Sequence, residues 1–132
     1  MYEKYLKGIY PITPNEFVSD KIFIEDCLQV INTNISVFQF RPKFLSYARR
    51  NRITDLLYKE CQLNDVKLIL NDYDDEVVKY DDVGIHIGFD VGKIKNIRNK
   101  LGGDRIIGIS CYDSLGNARY CEENKASYVS FG

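Results

Sequence analysis

An α/β fold of alternating strands and helices is predicted by two features of this sequence. Short β-branched and aromatic runs recur along its whole length, and between them lie segments whose apolar residues repeat at helical spacing. A third observation agrees: polar residues gather just after the strand-like runs, the place where an α/β fold collects its ligand-binding groups.

The strand candidates are Gly8–Thr13, Ile35–Phe40, Val66–Leu70, Gly84–Ile87, Ile106–Ser110 and Ser127–Phe131. They are short and largely apolar with polar turns on either side, the pattern of buried parallel strands. Ile22, Cys27, Leu28 and Ile31 form an apolar helical stripe after Ser19-Asp20, and Ile53, Leu56, Leu57, Tyr58 and Cys61 form a second. Val91, Ile94, Ile97 and Leu101 make a third, closed by Gly102-Gly103 as suits a helix C-terminus. A fourth begins at Ser114 and runs on through Ala118 to Cys121, and Glu76–Tyr80 holds only a short fifth. Six strands and five helices in alternation imply right-handed crossovers. Counting leaves two architectures open. A flavodoxin-like doubly wound sheet suits 132 residues, whereas a (β/α)₈ barrel needs about 200 or more. No internal repeat, low-complexity stretch or long linker interrupts the pattern, so residues 1–132 are expected to form a single domain.

The composition, 45% hydrophobic and 28% charged, is that of an ordinary globular chain able to bury a real core. Eighteen basic residues face nineteen acidic ones, and this balance argues against non-specific binding to nucleic acid or to an anionic membrane surface. No apolar run approaches the ~20 residues of a membrane span, and the start shows no charged n-region followed by an apolar h-region. A cytoplasmic location is expected. Cys27, Cys61, Cys111 and Cys121 are scattered, with His86 the only imidazole, which suits reduced structural thiols better than a zinc site.

Thr13 follows the first strand candidate; Gln39, Arg41 and Lys43 close the second; Asn71 and Asp72 the third; Gly88 and Asp90 the fourth; Ser110 the fifth. Arg41 and Lys43, two apart on an extended segment, suit a pyrophosphate, arginine through its planar fork and lysine as a point charge. Asp72 and Asp90 are hard oxygen donors of the kind magnesium takes one or two of, filling its other positions with phosphate oxygens and water. Asn71 and Ser110 are neutral donors able to orient the same anion. Each residue also has a plainer reading: surface cations for Arg41 and Lys43, a turn or cap for Asn71-Asp72, a packed hydrogen-bonded residue for His86, packing for Tyr10, solvated loop for Asp74, Asp81 and Asp82. The agreement of five strand ends favours the functional reading.

These segments together resemble the thiamine phosphate synthase family. Gly8-Ile9-Tyr10-Pro11-Ile12-Thr13 is similar to its G-x-Y-x-I-T, Gln39-Phe40-Arg41-Pro42-Lys43 to Q-x-R-x-K, and Leu70-Asn71-Asp72-Tyr73-Asp74-Asp75 to I-N-D-x-x-D. Gly84-Ile85-His86-Ile87-Gly88 matches G-x-H-x-G, Gly108–Ser114 resembles G-x-S-C-[HY]-[ND]-S, and Ser127–Gly132 resembles A-D-Y-V-x-x-G. The resemblance implies a (β/α)₈ barrel truncated after the sixth strand. It also implies a transferase of thiamine biosynthesis that couples hydroxymethylpyrimidine diphosphate with thiazole phosphate to give thiamine phosphate and pyrophosphate. Carried to matching positions, Gln39, Arg41, Lys43, Asn71 and Ser110 would bind the pyrophosphate end of the substrate, and Asp72 and Asp90 would hold Mg²⁺. No general base is implied.

Two departures stand out. The family's G-Q-x-D is here Gly88-Phe89-Asp90, one residue shorter and with Phe in place of Gln, and the T-x-T-K loop and last two strands have no counterpart. Open edges on the first and sixth strands would then invite pairing with another chain, so a homo-oligomer is expected. The alternative function is a non-catalytic remnant that binds phosphate ligands or a partner. A thiazole tautomerase-like protein is a further alternative, disfavoured because that family places a His where this chain has Ser110-Cys111-Tyr112.

Overall fold

Each of the four long helices begins at a side chain that accepts one of the helix's free amides, and this sets much of the layout. The structure, a computed structural model, describes residues 2–132. Its elements in chain order are a 3₁₀ turn at Glu3–Tyr5, α1 (Asp20–Ile31), β1 (Val37–Phe40), α2 (Tyr47–Leu63), β2 (Lys67–Asn71), α3 (Asp74–Val77), β3 (Gly84–Gly88), α4 (Val91–Leu101), β4 (Ile107–Ser110), α5 (Leu115–Glu123) and β5 (Tyr128–Ser130). Ser19, Ser46, Asp90 and Ser114 cap α1, α2, α4 and α5 by accepting from the amides of Ile22, Arg49, Lys93 and Asn117. Such caps satisfy a donor that the helix itself cannot.

The residues divide into two compact units, Lys4–Ile69 and Leu70–Gly132, the latter with Tyr2 and Glu3. In the first, α1 packs on α2. Phe23, Cys27 and Ile31 point inward from α1, and Ile53, Leu57 and Cys61 from α2. Phe17 stacks on Phe23 with ring centroids 3.8 Å apart. Asp20 ties the two helices at their outer side, its carboxylate accepting from Arg49 at 2.6 Å and Arg52 at 2.7 Å. In the second unit, β3, β4 and β5 run parallel, with Ile85 beside Ile107, Ile87 beside Ile109 and Ile109 beside Val129. Ile85, Ile87, Ile107 and Ile109 are fully buried, each worth about 1.5–3 kcal/mol of transfer free energy.

Strand order follows chain order, β1-β2-β3-β4-β5, with β2 running from one unit into the other. A doubly wound sheet requires a reversal in that order, and there is none. The flavodoxin-like alternative is thereby removed.

Three expectations need correction. Six strands were expected, and the described residues contain five. Gly8–Thr13 forms no strand; it makes one parallel bridge, Ile12 to Gln39, through Thr13 N to Gln39 O at 3.0 Å and Gln39 N to Pro11 O at 2.9 Å. Pro11 and Pro14 lack the amide a longer ladder needs, and Ile9 is 77% exposed. Finally, Ile22, Leu56 and Val91, assigned to inward stripes, face outward, and Phe23 takes the place of Ile22.

Candidate functional site

In the Lys4–Ile69 unit the polar residues after β1 are organised by the segment Thr13–Asn15. Gln39 is only 2% exposed, and its amide nitrogen donates to Tyr10 Oη at 3.0 Å. Arg41 is held twice: its backbone amide donates to Thr13 Oγ1 at 2.9 Å, and its guanidinium to Asn15 Oδ1 at 2.6 Å. Lys43 N donates to the Asn15 carbonyl at 2.8 Å, and the Lys43 side chain is exposed. A half-buried guanidinium anchored at one nitrogen keeps its other donors in a fixed fork for an anion. Asn15 lies outside the motifs, so sequence reasoning missed it. The Asn-after-Pro turn at Pro14-Asn15 was its only signal.

In the Leu70–Gly132 unit, Asn71 ends β2 and its amide nitrogen reaches Asp72 Oδ2 at 3.2 Å. Asp72 is exposed, and both it and Tyr73 adopt left-handed backbone, φ 64° and 57°. The Asp72 amide is still used, donating to the His86 carbonyl at 2.9 Å. Asp90 is exposed too; its Oδ1 accepts from Lys93 N at 3.2 Å, so it starts α4. Among the described residues there is no group of three or more His, Cys, Asp or Glu side chains that could enclose a metal ion. Magnesium bound mainly by phosphate and water needs only one or two protein carboxylates, and two exposed aspartates at strand ends suit that demand.

Ser110 belongs to a tighter cluster. His86 on β3, Gly108 on β4 and Tyr128 on β5 share one register across three parallel strands. Side chains two apart on a strand share a face, so Ser110 and Ser130 stand on the same side as these three. A Cβ on Gly108 would lie 2.0 Å from Tyr128 Cζ, because the tyrosine ring lies across this glycine. The ring thereby bridges the middle strand, and its hydroxyl meets His86 Nδ1 at 2.8 Å. The other imidazole nitrogen, Nε2, lies 2.8 Å from Ser110 Oγ, and Ser130 Oγ donates to the same oxygen at 3.3 Å. His86 is 9% exposed, in keeping with the packed, hydrogen-bonded role read from its strand position. Tyr128 and Ser130 were missed as site residues, because the register that sets Gly108 beside Tyr128 is seen only once the strands pair.

The structure therefore joins Arg41 to Thr13 and Asn15, Asn71 to Asp72, and Ser110 to His86 and Ser130, while Asp90 has a capping role of its own. The cysteines are free and buried. Burial pushes the thiols of Cys27 and Cys121 up to about 12, the second helped by a hydrogen bond with Cys111, which suits inert core residues. No helix among the described residues is long and apolar enough to cross a membrane.

Comparison with known proteins identifies the family and the fold. The family model described as thiamine monophosphate synthase matches residues 9–132. The chain is 35% identical over 128 residues to the thiamine-phosphate synthase of Methylococcus capsulatus, covering 96% of this chain and 56% of that protein. It is 33% identical over 127 residues to the thiamine-phosphate synthase of Nitrosomonas eutropha, covering 96% and 59% respectively. It thus spans somewhat over half the length of these relatives. Among solved structures, thiamine phosphate pyrophosphorylase from Pyrococcus furiosus superposes with a TM-score of 0.82 at 22% identity, over 100% of this chain and 62% of that one, and has the same fold. On the family match across residues 9–132, this chain belongs to the thiamine monophosphate synthase family.

Proposed function

We propose that this chain works in thiamine biosynthesis as a transferase, coupling hydroxymethylpyrimidine diphosphate with thiazole phosphate to give thiamine phosphate and pyrophosphate. The observation that carries the proposal is the family match over residues 9–132, within which Gln39, Arg41, Lys43, Asn71 and Ser110 hold motif positions. In this proposal Arg41 grips the diphosphate with the donors that Asn15 leaves open, and Lys43 adds a mobile positive charge. Asn71 and Ser110 orient the same group as neutral donors, and buried Gln39 lies toward the pyrimidine. Asp72 and Asp90 hold Mg²⁺, which when bound neutralises charge growing on the departing diphosphate. Catalysis then rests on electrostatic stabilisation of a leaving group, and no side chain has to remove a proton.

The proposal extends to a cytoplasmic location, a barrel-type fold and assembly into a homo-oligomer through strand edges. The test supplies both substrates and Mg²⁺ to the purified chain. Thiamine phosphate is expected from the wild type and none from Asp72→Ala, with light scattering in the same preparation reporting more than one copy. Binding of pyrophosphate and Mg²⁺ without turnover would replace the transferase with the second reading, a phosphate-binding remnant. The capping role of Asp90 on the shortened Gly88-Phe89-Asp90 segment is the observation that favours that reading.

A further inference from the structure

Hydrogen-bond accounting around Ser110 leads beyond its assignment as an anion contact. A serine hydroxyl has one proton to give and two lone pairs to fill. Ser130 Oγ donates into one lone pair of Ser110 at 3.3 Å. The imidazole of His86 stands 2.8 Å from the same oxygen, and its tautomer decides what Ser110 has left. With the proton on Nδ1, Ser110 must donate to Nε2, and its only proton is spent inside the cluster. With the proton on Nε2, His86 fills the second lone pair, and the Ser110 proton is left for a ligand.

Tyr128 decides between them. Its hydroxyl sits 2.8 Å from Nδ1, and a phenol is a stronger donor than acceptor because its oxygen lone pair is delocalised into the ring. A donating Tyr128 requires an unprotonated Nδ1, so a neutral imidazole carries its proton on Nε2. Tyr128 reaches this nitrogen only because Gly108, in register between the two residues, has no side chain in the way.

We propose that His86 is a positioning residue: held by Tyr128 as the neutral Nε2–H tautomer, it joins Ser130 in filling both lone pairs of Ser110 and commits the Ser110 proton to an anionic ligand. The proposal rests on the reading of Ser110 as a diphosphate contact, and it adds the device that makes this hydroxyl a donor only. His86 and Tyr128 act through Ser110 and need not touch the ligand.

The chain has a single histidine, so ¹⁵N spectra of the labelled imidazole carry one unambiguous pair of signals. At neutral pH the expected result is a protonated Nε2 and a bare Nδ1; the opposite tautomer or an imidazolium would overturn the proposal. Calorimetric titration with inorganic pyrophosphate and Mg²⁺ tests the consequence. Tyr128→Phe, which keeps the ring over Gly108, and His86→Leu should each weaken binding about tenfold, the scale of one hydrogen bond to a charged group. His86→Gln, whose amide keeps a donor near the position of Nε2, should restore most of it. Ser110→Ala separates the two layers. Weakened binding in Ser110→Ala beside wild-type affinity in Tyr128→Phe and His86→Leu would sink the positioning role and spare the anion contact. Unchanged binding in Ser110→Ala would sink both.

Discussion

The turns that follow helices and the turns that follow strands use the same left-handed backbone for different ends. After α2 and α5 the left-handed residues are Asp65 and Lys125, φ 53° and 64°. Each closes a Schellman motif: Val66 N and Ala126 N reach back to Cys61 O and Cys121 O at 2.9 Å and 3.0 Å, and Asp65 N and Lys125 N to Gln62 O and Glu122 O. The strain there is repaid by satisfied helix carbonyls. After β1, β2 and β4 the left-handed residues are Phe44, Asp72 with Tyr73, and Tyr112, none of which ends a helix. Bulky side chains in that region are uncommon, and such strain gathers where a chain must present particular groups. Each of these turns adjoins residues proposed for the site: Lys43, Asn71, Asp72 and Ser110. The lesson is that a positive φ marks function only once helix capping has been accounted for.

The comparison breaks most visibly at Asp72. Asp72→Gly relaxes the backbone and deletes the carboxylate, so under the proposed function thiamine phosphate formation should fall by about 100-fold or more while the melting temperature holds or rises. Activity that survived this change would mean the turn after β2 is merely tolerated strain. Lys125→Gly is the matched experiment on the helix side: about 0.5–1 kcal/mol of added stability in denaturant unfolding, with pyrophosphate binding unchanged. The Lys125 carbonyl that Arg98 grips at 2.7 Å stays in place in that variant.

The smallest effect sharpens how the strand-side turn is tethered. Lys100 on α4 donates to Asp74 and Asp75, each at 2.8 Å, just beyond the Asp72-Tyr73 turn. The hydrogen bond from Lys100 holds the Asp74 carboxyl below its ordinary 3.8. A depressed carboxyl stabilises the fold fully above its ordinary value and loses that contribution as pH falls through the folded one. Lys100→Met should therefore lower the unfolding midpoint slightly at about pH 6 and match the wild type at about pH 2. Because the pair is exposed, salt should shrink the difference further.

Much of this was legible beforehand, for identifiable reasons. Five strands were found because β-branched runs such as Val66–Leu70 and Ile106–Ser110 are largely buried and so mostly apolar. The helix starts were found where Ser19 and Ser114 precede the apolar stripes. Gly8–Thr13 misled because its apolar content resembles a strand, whereas Pro11 within it and Pro14 just after it limit what it can pair. The stripe on α1 misled because Ile22, Phe23 and Ile24 are all apolar, and only packing decides that Phe23 turns inward against Phe17 and Phe40. For the proposed site, the charged and amide candidates were chosen from residue type and strand-end position. Asn15, Tyr128 and Ser130 were not, since their roles come from register and from chain segments meeting, which no local pattern encodes.

Gly108 has a consequence for how this sheet can change. A methyl group there would collide with the Tyr128 ring, so positions 108 and 128 share one volume, and bulk added to β4 must be subtracted from β5. Any sequence that fills 108 has to shrink or displace the ring at 128, and in doing so it disconnects the imidazole two strands away. The constraint runs one way: the emptiness of one strand is the reach of the next, and position 108 cannot gain bulk while the Tyr128 ring stays where it is.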